Sequence, residues 1–163
     1  MSTLLVVHHS PTESLQRLAE AVVAGAGDEA IEGVRVLTRP ALQPDAEELL
    51  WADAVALITP ANFGYMSGAM KHYLDTVFLE AGGALGEDGG AARAGAPKGP
   101  PFGLVVHGRY DTTGAVRSVL SIVSALGWRQ STEVLSVLGE VGEGDVSAAY
   151  DLGATLAVLT LEG

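Results

Sequence analysis

Residues 59–75 read TPANFGYMSGAMKHYLD, and this stretch decides the fold class of the chain. It follows an apolar run at 54–58, AVALI, which is typical of a strand buried on both faces of a parallel sheet. The run stops at Pro60, a short polar and aromatic loop follows at 62–64, and a helix is predicted from Ser67. A strand that passes through such a loop directly into a helix places the loop at the carboxyl edge of an α/β sheet, where these folds bind ligands.

The rest of the chain alternates between apolar runs and helical patterns. Short apolar runs predict strands at 4–8, 34–37, 54–59, 102–107 and 133–138. Apolar residues spaced three or four apart predict helices at 15–26, 45–50, 67–77, 116–126 and 146–161. This alternation indicates a doubly wound α/β fold, in which a five-stranded parallel sheet of order 2-1-3-4-5 lies between two helix layers. No internal repeat or linker divides the chain, so residues 1–163 are expected to form a single domain.

Composition narrows the classes of function. The net charge of −11 leaves no basic face for the phosphate backbone of a nucleic acid, and it favours basic protein partners. The absence of cysteine excludes disulfides, thiol catalysis and cysteine-based zinc sites. No apolar run reaches the ~18 residues of a membrane helix. The opening MSTLLVVHH reads as a strand rather than a signal peptide, so a cytoplasmic protein is expected.

The predicted strand order also says where a ligand should bind. The topological switch point, where the strand order reverses, lies between the first and third strands. The ligand is therefore expected to touch the loops after strands one, three and four. These loops are 9–15 (HSPTESL), 59–64 (TPANFG) and 107–114 (HGRYDTTG). In the last of them, Asp111 or Thr112 could also cap the fourth helix.

Each of the three loops resembles the flavodoxin-like family, and in particular its NAD(P)H-dependent FMN reductases. The pattern TPxxFGxMSGxxKxxLD resembles the flavin-contacting loop and third helix of that family. Ser10 and Thr12 match its phosphate loop, Ser-x-Thr-Gly-Asn-Thr, and Ser14 is a substitute hydroxyl. Residues 107–114 resemble the glycine-containing turn at the pyrimidine edge of the flavin.

The resemblance spans most of the chain and implies a flavodoxin-like fold with FMN as the cofactor. It implies an oxidoreductase that reduces flavin, quinone or a similar acceptor, with NAD(P)H as the candidate donor. The cofactor-binding residues that follow from it are Ser10, Thr12, Ser14, Leu15, Pro60, Ala61, Asn62, Phe63, Gly64, Gly108, Arg109, Tyr110 and Asp111. No catalytic acid or base is expected, because the flavin does the redox chemistry. The four histidines have no spacing that gathers them on a metal.

Two residues depart from the family pattern, since Glu13 stands where the family has glycine and Leu15 where it has threonine. Ser10-x-x-Glu13 also reads as a capping box with Pro11 at the first helical position. In that arrangement the carboxylate occupies the helix terminus where a phosphate would lie, unless it turns toward Arg17.

Two alternatives to the reductase therefore stay open. One is a flavodoxin-type electron carrier that docks basic redox partners through its acidic surface. The other is a flavin-free scaffold or binding protein with a degenerate phosphate loop. Either a homo-oligomer or a redox partner protein is compatible with the sequence. Residues 81–100, rich in glycine and alanine, have little to bury and are not expected to pack as an element.

Overall fold

A parallel sheet forms the centre of the computed structural model, which describes residues 1–81 and 99–163. Its strands are β1 (Ser2–His8), β2 (Val34–Pro40), β3 (Ala54–Asn62), β4 (Tyr65–Met66), β5 (Pro101–Gly108), β6 (Arg129–Gln130) and β7 (Leu135–Leu138). The helices are α1 (Glu13–Ala26), α2 (Ala46–Trp51), α3 (Gly68–Ala81), α4 (Thr113–Ala125) and α5 (Glu143–Leu161). The strand order is β2-β1-β3-β5, and β6 and β7 both pair in parallel with β5. The predicted doubly wound α/β fold is confirmed.

The fifth strand, predicted at 133–138, is observed as the shorter β7, and β6 is a separate two-residue strand that the sequence did not predict. Between β6 and β7, the side chain of Thr132 lies over β5. Its Oγ1 is only 2.7 Å from the position that a Cβ on Gly103 would occupy. Here the chain leaves the ladder after Ser131 N–H donates to the Phe102 carbonyl, and it rejoins at Leu135. A second unpredicted feature is β4, which pairs antiparallel with the end of β3.

Side chains of successive residues in the central strands point alternately to the two sides of the sheet and form the core on each side. Leu5, Val7 and Leu57 belong to the cluster that packs against α2, α3 and α4, and their neighbours Leu4 and Val6 belong to the cluster against α1 and α5. All five of these side chains are fully buried. Successive residues of a strand point to opposite faces, so an almost continuous apolar run supplies both layers of a three-layer α/β/α structure.

Two glycines set the distance between α1 and α5. A Cβ on Gly153 would stand 2.0 Å from the Val22 carbonyl oxygen, and one on Gly25 would stand 1.9 Å from the Tyr150 carbonyl oxygen. The two helices therefore touch backbone to backbone. The Tyr150 hydroxyl donates to Asp28 at the end of this contact, and this hydrogen bond lowers the pKa of the Asp28 carboxyl.

In the part of the chain that the structure describes, no helix is both long and apolar enough to cross a bilayer. The stretch 81–100 falls largely outside the described residues, so the expectation that it forms no packed element stays a prediction.

The helix contact predicts a matched pair of stability effects. We expect Gly153→Ala to destabilise the fold by about 1–3 kcal/mol, because the added methyl group overlaps the Val22 carbonyl and forces the helices apart. Gly144, also in α5, has no atom within 4 Å of its Cβ position, so Gly144→Ala should be neutral or slightly stabilising. Urea unfolding of the two variants measures both effects, and equal midpoints would contradict the contact.

Candidate functional site

A cleft at the carboxyl edge of the sheet collects residues from three loops. Its volume is about 570 Å³, and it lies where β1 and β3, neighbours in the sheet, lead to helices on opposite faces. The residues that line it are Thr12, Leu15, Pro60, Ala61, Asn62, Phe63, Gly64, His107, Gly108, Arg109, Tyr110 and Asp111. Two of the predicted cofactor-binding residues, Ser10 and Ser14, do not line the cleft, and His107 lines it without having been predicted.

One wall of the cleft is a tight hairpin that joins β3 to β4. Asn62 pairs with Tyr65, which leaves Phe63 and Gly64 as the two-residue loop. Their φ angles are +52° and +76°, the pattern of a type I′ turn, in which both central residues have positive φ. Glycine adopts this conformation freely, whereas phenylalanine rarely does. Phe63 is fully exposed, so its ring stands at the edge of the cleft in a strained backbone conformation.

Hydrogen bonds of two buried hydroxyls hold the base of this hairpin. The Ser67 N–H donates to Thr59 Oγ1 at 3.1 Å, and the two hydroxyl oxygens are 3.0 Å apart. Thr59 Oγ1 also lies 2.9 Å from the Pro60 carbonyl oxygen. If Thr59 donates to that carbonyl, the Ser67 hydroxyl donates to Thr59, and every group is satisfied. Ser67 Oγ then accepts from the Met70 N–H at 3.1 Å and caps α3, so one network ends the strand and begins the helix.

The tip of the hairpin rests on the first turn of α4. A Cβ on Gly114 would stand 2.0 Å from the Gly64 carbonyl oxygen, so only glycine permits this approach of the two backbones. The position of the hairpin tip is therefore set from both ends, by the hydroxyl network at its base and by α4 at its tip.

The loop between β5 and α4 forms the opposite wall. Asp111 accepts a hydrogen bond from the Thr113 N–H at 2.9 Å, and hydrogen bonds from the Thr113 backbone and side chain lower the pKa of its carboxyl. Of the two candidate caps of this helix, Thr112 stands at the N-cap position but makes no capping bond, and its hydroxyl pairs with Ser136 at 2.6 Å. Asp111, one residue earlier, accepts from the N–H of the first helical residue instead. Arg109 and Tyr110 are exposed, and 93% of the surface of Tyr110 is accessible to solvent.

The predicted capping box at the start of α1 is wrong. The helix begins at Glu13, and the capping side chain is that of Thr12, whose Oγ1 accepts from the Leu15 N–H at 3.3 Å. The hydroxyl of Ser10 lies instead 3.0 Å from Nδ1 of His8. Ser10 therefore lies two residues before the N-cap position and makes no capping bond to the helix.

The alternative orientation, in which Glu13 turns toward Arg17, is not observed either. Arg17 donates to the Val141 carbonyl at 2.9 Å and to the Glu143 carboxylate at 3.3 Å, which ties α1 to the loop before α5. Glu13 is exposed and does not line the cleft. Its carboxylate therefore stands in solvent at the helix N-terminus rather than folded over the N–H groups.

His107 is the site residue that the sequence did not predict. It is the second-last residue of β5, and only 7% of its surface is exposed. Its Nε2 lies 2.6 Å from the Gly139 carbonyl oxygen, in the loop that precedes α5. A single histidine near the end of an apolar strand looks like a core residue, and the only available signal was its position as the first residue of the third loop, 107–114.

Within residues 1–81 and 99–163, no group of three or more histidine, aspartate or glutamate side chains could hold a metal ion. What the cleft offers instead is chemistry for an organic ligand: a helix N-terminus, a hairpin backbone, two exposed aromatic rings and a guanidinium group.

Comparisons with known proteins agree with this architecture. No family model matches the chain. A protein named flavodoxin from Aquifex aeolicus (strain VF5) is 32% identical over 85 residues, which cover 52% of this chain and 45% of that protein. The match thus spans less than half the length of this curated relative.

Solved structures match nearly the whole chain. The flavodoxin, WrbA-like protein from Agrobacterium tumefaciens superposes with a TM-score of 0.76 at 19% identity, covering 99% of both chains. A flavodoxin from the domain Archaea superposes with a TM-score of 0.75 at 18% identity, covering 98% of this chain and 99% of the other.

The strand order and the cleft between divergent loops define an open, doubly wound α/β protein with a ligand site at its switch point. Within that class, the chain has the flavodoxin-like fold, as the resemblance of its three loops predicted.

The hydroxyl network predicts that Thr59 is needed for stability. Thr59→Val keeps the shape of the side chain but removes the acceptor of the Ser67 N–H, and an unsatisfied buried donor costs about 1–3 kcal/mol. We expect the melting temperature to fall accordingly. Thr155→Val, at an exposed position of α5, is the control and should have little effect. A Thr59 variant as stable as the control would show that the network does not hold the hairpin.

Proposed function

We propose that this protein binds FMN in the cleft and is a flavin-dependent oxidoreductase with NAD(P)H as its electron donor. The observation that carries the proposal is the convergence of three loops, each resembling a flavin-binding loop, on one cleft of about 570 Å³. That volume is in the range of small-molecule sites in proteins. Three loops far apart in the sequence meet there only because the sheet order brings them together.

The phosphate end of the ligand is assigned to the N-terminus of α1. In the described parts of the chain, the N–H groups of Glu13 and Ser14 have no hydrogen-bond partner. A helix of 14 residues presents these donors together with the positive end of its dipole. Thr12 and Leu15 line the cleft beside them. Ser14 thus contributes its backbone rather than a cleft-lining side chain, and Ser10 supports the loop through His8.

The ring end is assigned to the hairpin and the β5–α4 loop. Phe63 and Tyr110 are almost fully exposed on opposite walls of the cleft. A flat aromatic ligand between them would bury apolar surface that the protein alone leaves in water. The backbone of Asn62, Phe63 and Gly64 offers hydrogen-bonding groups to the ring edge, since no side-chain Cβ intervenes at Gly64.

When bound, FMN supplies the redox chemistry, and the protein positions and tunes it. Arg109 lies exposed in the lining of the cleft, where its charge can pair with a phosphate of an arriving nucleotide. Phe63 and Tyr110 line the cleft and are exposed to solvent, so a donor would approach the ring from their side.

A second candidate is an electron carrier without its own reductase activity. The net charge of −11 favours it, because an acidic surface attracts basic redox proteins and repels an anionic nucleotide donor. The two candidates share the flavin site and differ only in what reduces the flavin.

Titration of flavin fluorescence tests the proposal. We expect FMN to bind, and FAD to bind more weakly, because no described loop provides a second nucleotide site. The reductase predicts that NADH or NADPH bleaches the bound flavin without air, whereas the carrier predicts bleaching by dithionite alone. Binding of no flavin would favour the flavin-free scaffold, and equal or tighter binding of FAD would contradict the phosphate assignment.

The hairpin predicts a test of the ring site. Valine at position 64 strains the backbone, since β-branched residues resist positive φ. We expect Gly64→Val to weaken FMN binding about tenfold by moving the hairpin. Gly127 has the same conformation (φ +77°) at the end of α4, so Gly127→Val matches the strain away from the cleft. If both variants bind FMN with wild-type affinity, the hairpin does not contact the ring.

The carboxylate at the first position of α1 predicts a test of the phosphate site. Glu13→Gln removes a charge beside the phosphate, and we expect FMN to bind about three- to tenfold more tightly, an effect that added salt reduces. Riboflavin has no phosphate, so its affinity should not change. The exposed Glu20 further along α1 supplies the control Glu20→Gln. An equal gain for riboflavin and FMN would place the phosphate elsewhere.

A further inference from the structure

The hydrogen bond of His107 determines which of its ring nitrogens carries a proton. Its Nε2 lies 2.6 Å from the Gly139 carbonyl oxygen, and a carbonyl oxygen only accepts. Nε2 therefore carries the hydrogen, and in the neutral ring Nδ1 is left as an acceptor. Within the described residues, Nδ1 makes no hydrogen bond, and it is not among the fully buried atoms that lack a partner. This nitrogen is thus accessible and free to accept.

The location of His107 limits what can reach that acceptor. His107 shares a strand face with Val105, which packs in the cluster against α1 and α5. Its partner Gly139 lies in the loop before α5, and the cleft lining beside it includes Thr12 and Leu15 of α1. The imidazole therefore stands on the α1 side of the cleft floor, whereas the hairpin and Tyr110 form the outer walls.

We infer that Nδ1 of His107 accepts a hydrogen bond from a ribityl hydroxyl of the bound flavin, which makes His107 a specificity residue for the sugar-alcohol chain. The inference rests on the proposed function. With the phosphate at the N-terminus of α1 and the ring at the hairpin, as proposed above, the ribityl chain would lie along the floor between them. Its hydroxyls are donors, and Nδ1 is an accessible acceptor to which no described residue donates.

The orientation of the imidazole supports this role. The Gly139 contact holds the ring, so the acceptor is positioned before the ligand arrives. The backbone bond from the Gly139 N–H to the Gly108 carbonyl, at 2.8 Å, fixes the loop that holds it. A ligand hydroxyl then binds without any further ordering of the side chain.

The inference is tested with three flavins, each of which has one chemical group more than the one before. Lumiflavin has the ring alone, riboflavin adds the ribityl chain, and FMN adds the phosphate. For His107→Phe we expect riboflavin and FMN to bind about three- to tenfold more weakly, with lumiflavin unchanged. His107→Gln keeps an amide donor for Gly139 and an acceptor for the ligand, so it should restore most of the affinity. His72→Phe, at an exposed histidine of α3, is the control.

Each other pattern overturns the inference. An equal loss for all three flavins would mean that His107 only supports the cleft, and a loss for FMN alone would mean that it meets the phosphate. Unchanged affinities would mean that it touches no ligand. If the wild-type protein binds none of the three flavins, the proposed function itself fails, and the inference fails with it. Far-UV circular dichroism of each variant shows whether its fold is intact.

Discussion

The site depends most on the pair of buried hydroxyls at Thr59 and Ser67. Through them, the end of β3 and the first turn of α3 share one hydrogen-bond network. The network fixes the two ends of the segment that connects Thr59 to Ser67. A buried network of this kind is stabilising only when every member is satisfied, so it tolerates one geometry. The hairpin wall of the cleft is held in place for that reason.

The two ends of the cleft belong to different layers of the molecule. The α1 end is joined to α5 by glycine contacts and by Arg17, which reaches the Val141 carbonyl. The hairpin end rests on α4 through Gly114. Between them lies the sheet, whose register places the ends of β1, β3 and β5 side by side. The distance between the two ends of the cleft is therefore set by strand pairing rather than by loop conformation.

Much of this arrangement could be read from the sequence, because it depends on hydrophobic periodicity and on glycine and proline positions. The strand order and the positions of the three loops at the cleft follow from these patterns. Other features depend on competition between groups that the sequence presents as equivalent. Ser10 and Thr12 both suit a helix cap, and in the folded chain Thr12 caps α1 while the Ser10 hydroxyl lies beside Nδ1 of His8. The role of His107 depends on Gly139, which lies 32 residues away and reaches it only in the folded chain.

The positive φ of Phe63 has a consequence for the balance between stability and activity. Asparagine or glycine would fit this turn with less strain, and either would leave less apolar surface in water. A chain optimised for folding alone would therefore not keep phenylalanine here. At this position the positive φ disfavours phenylalanine, and so does the exposure of its ring to water. Proteins retain such unfavourable residues at sites where a ligand covers the side chain. Random mutagenesis with selection for thermal stability alone should accordingly replace Phe63 in the first rounds. The selected variants would have higher melting temperatures and lower affinity for an aromatic ligand.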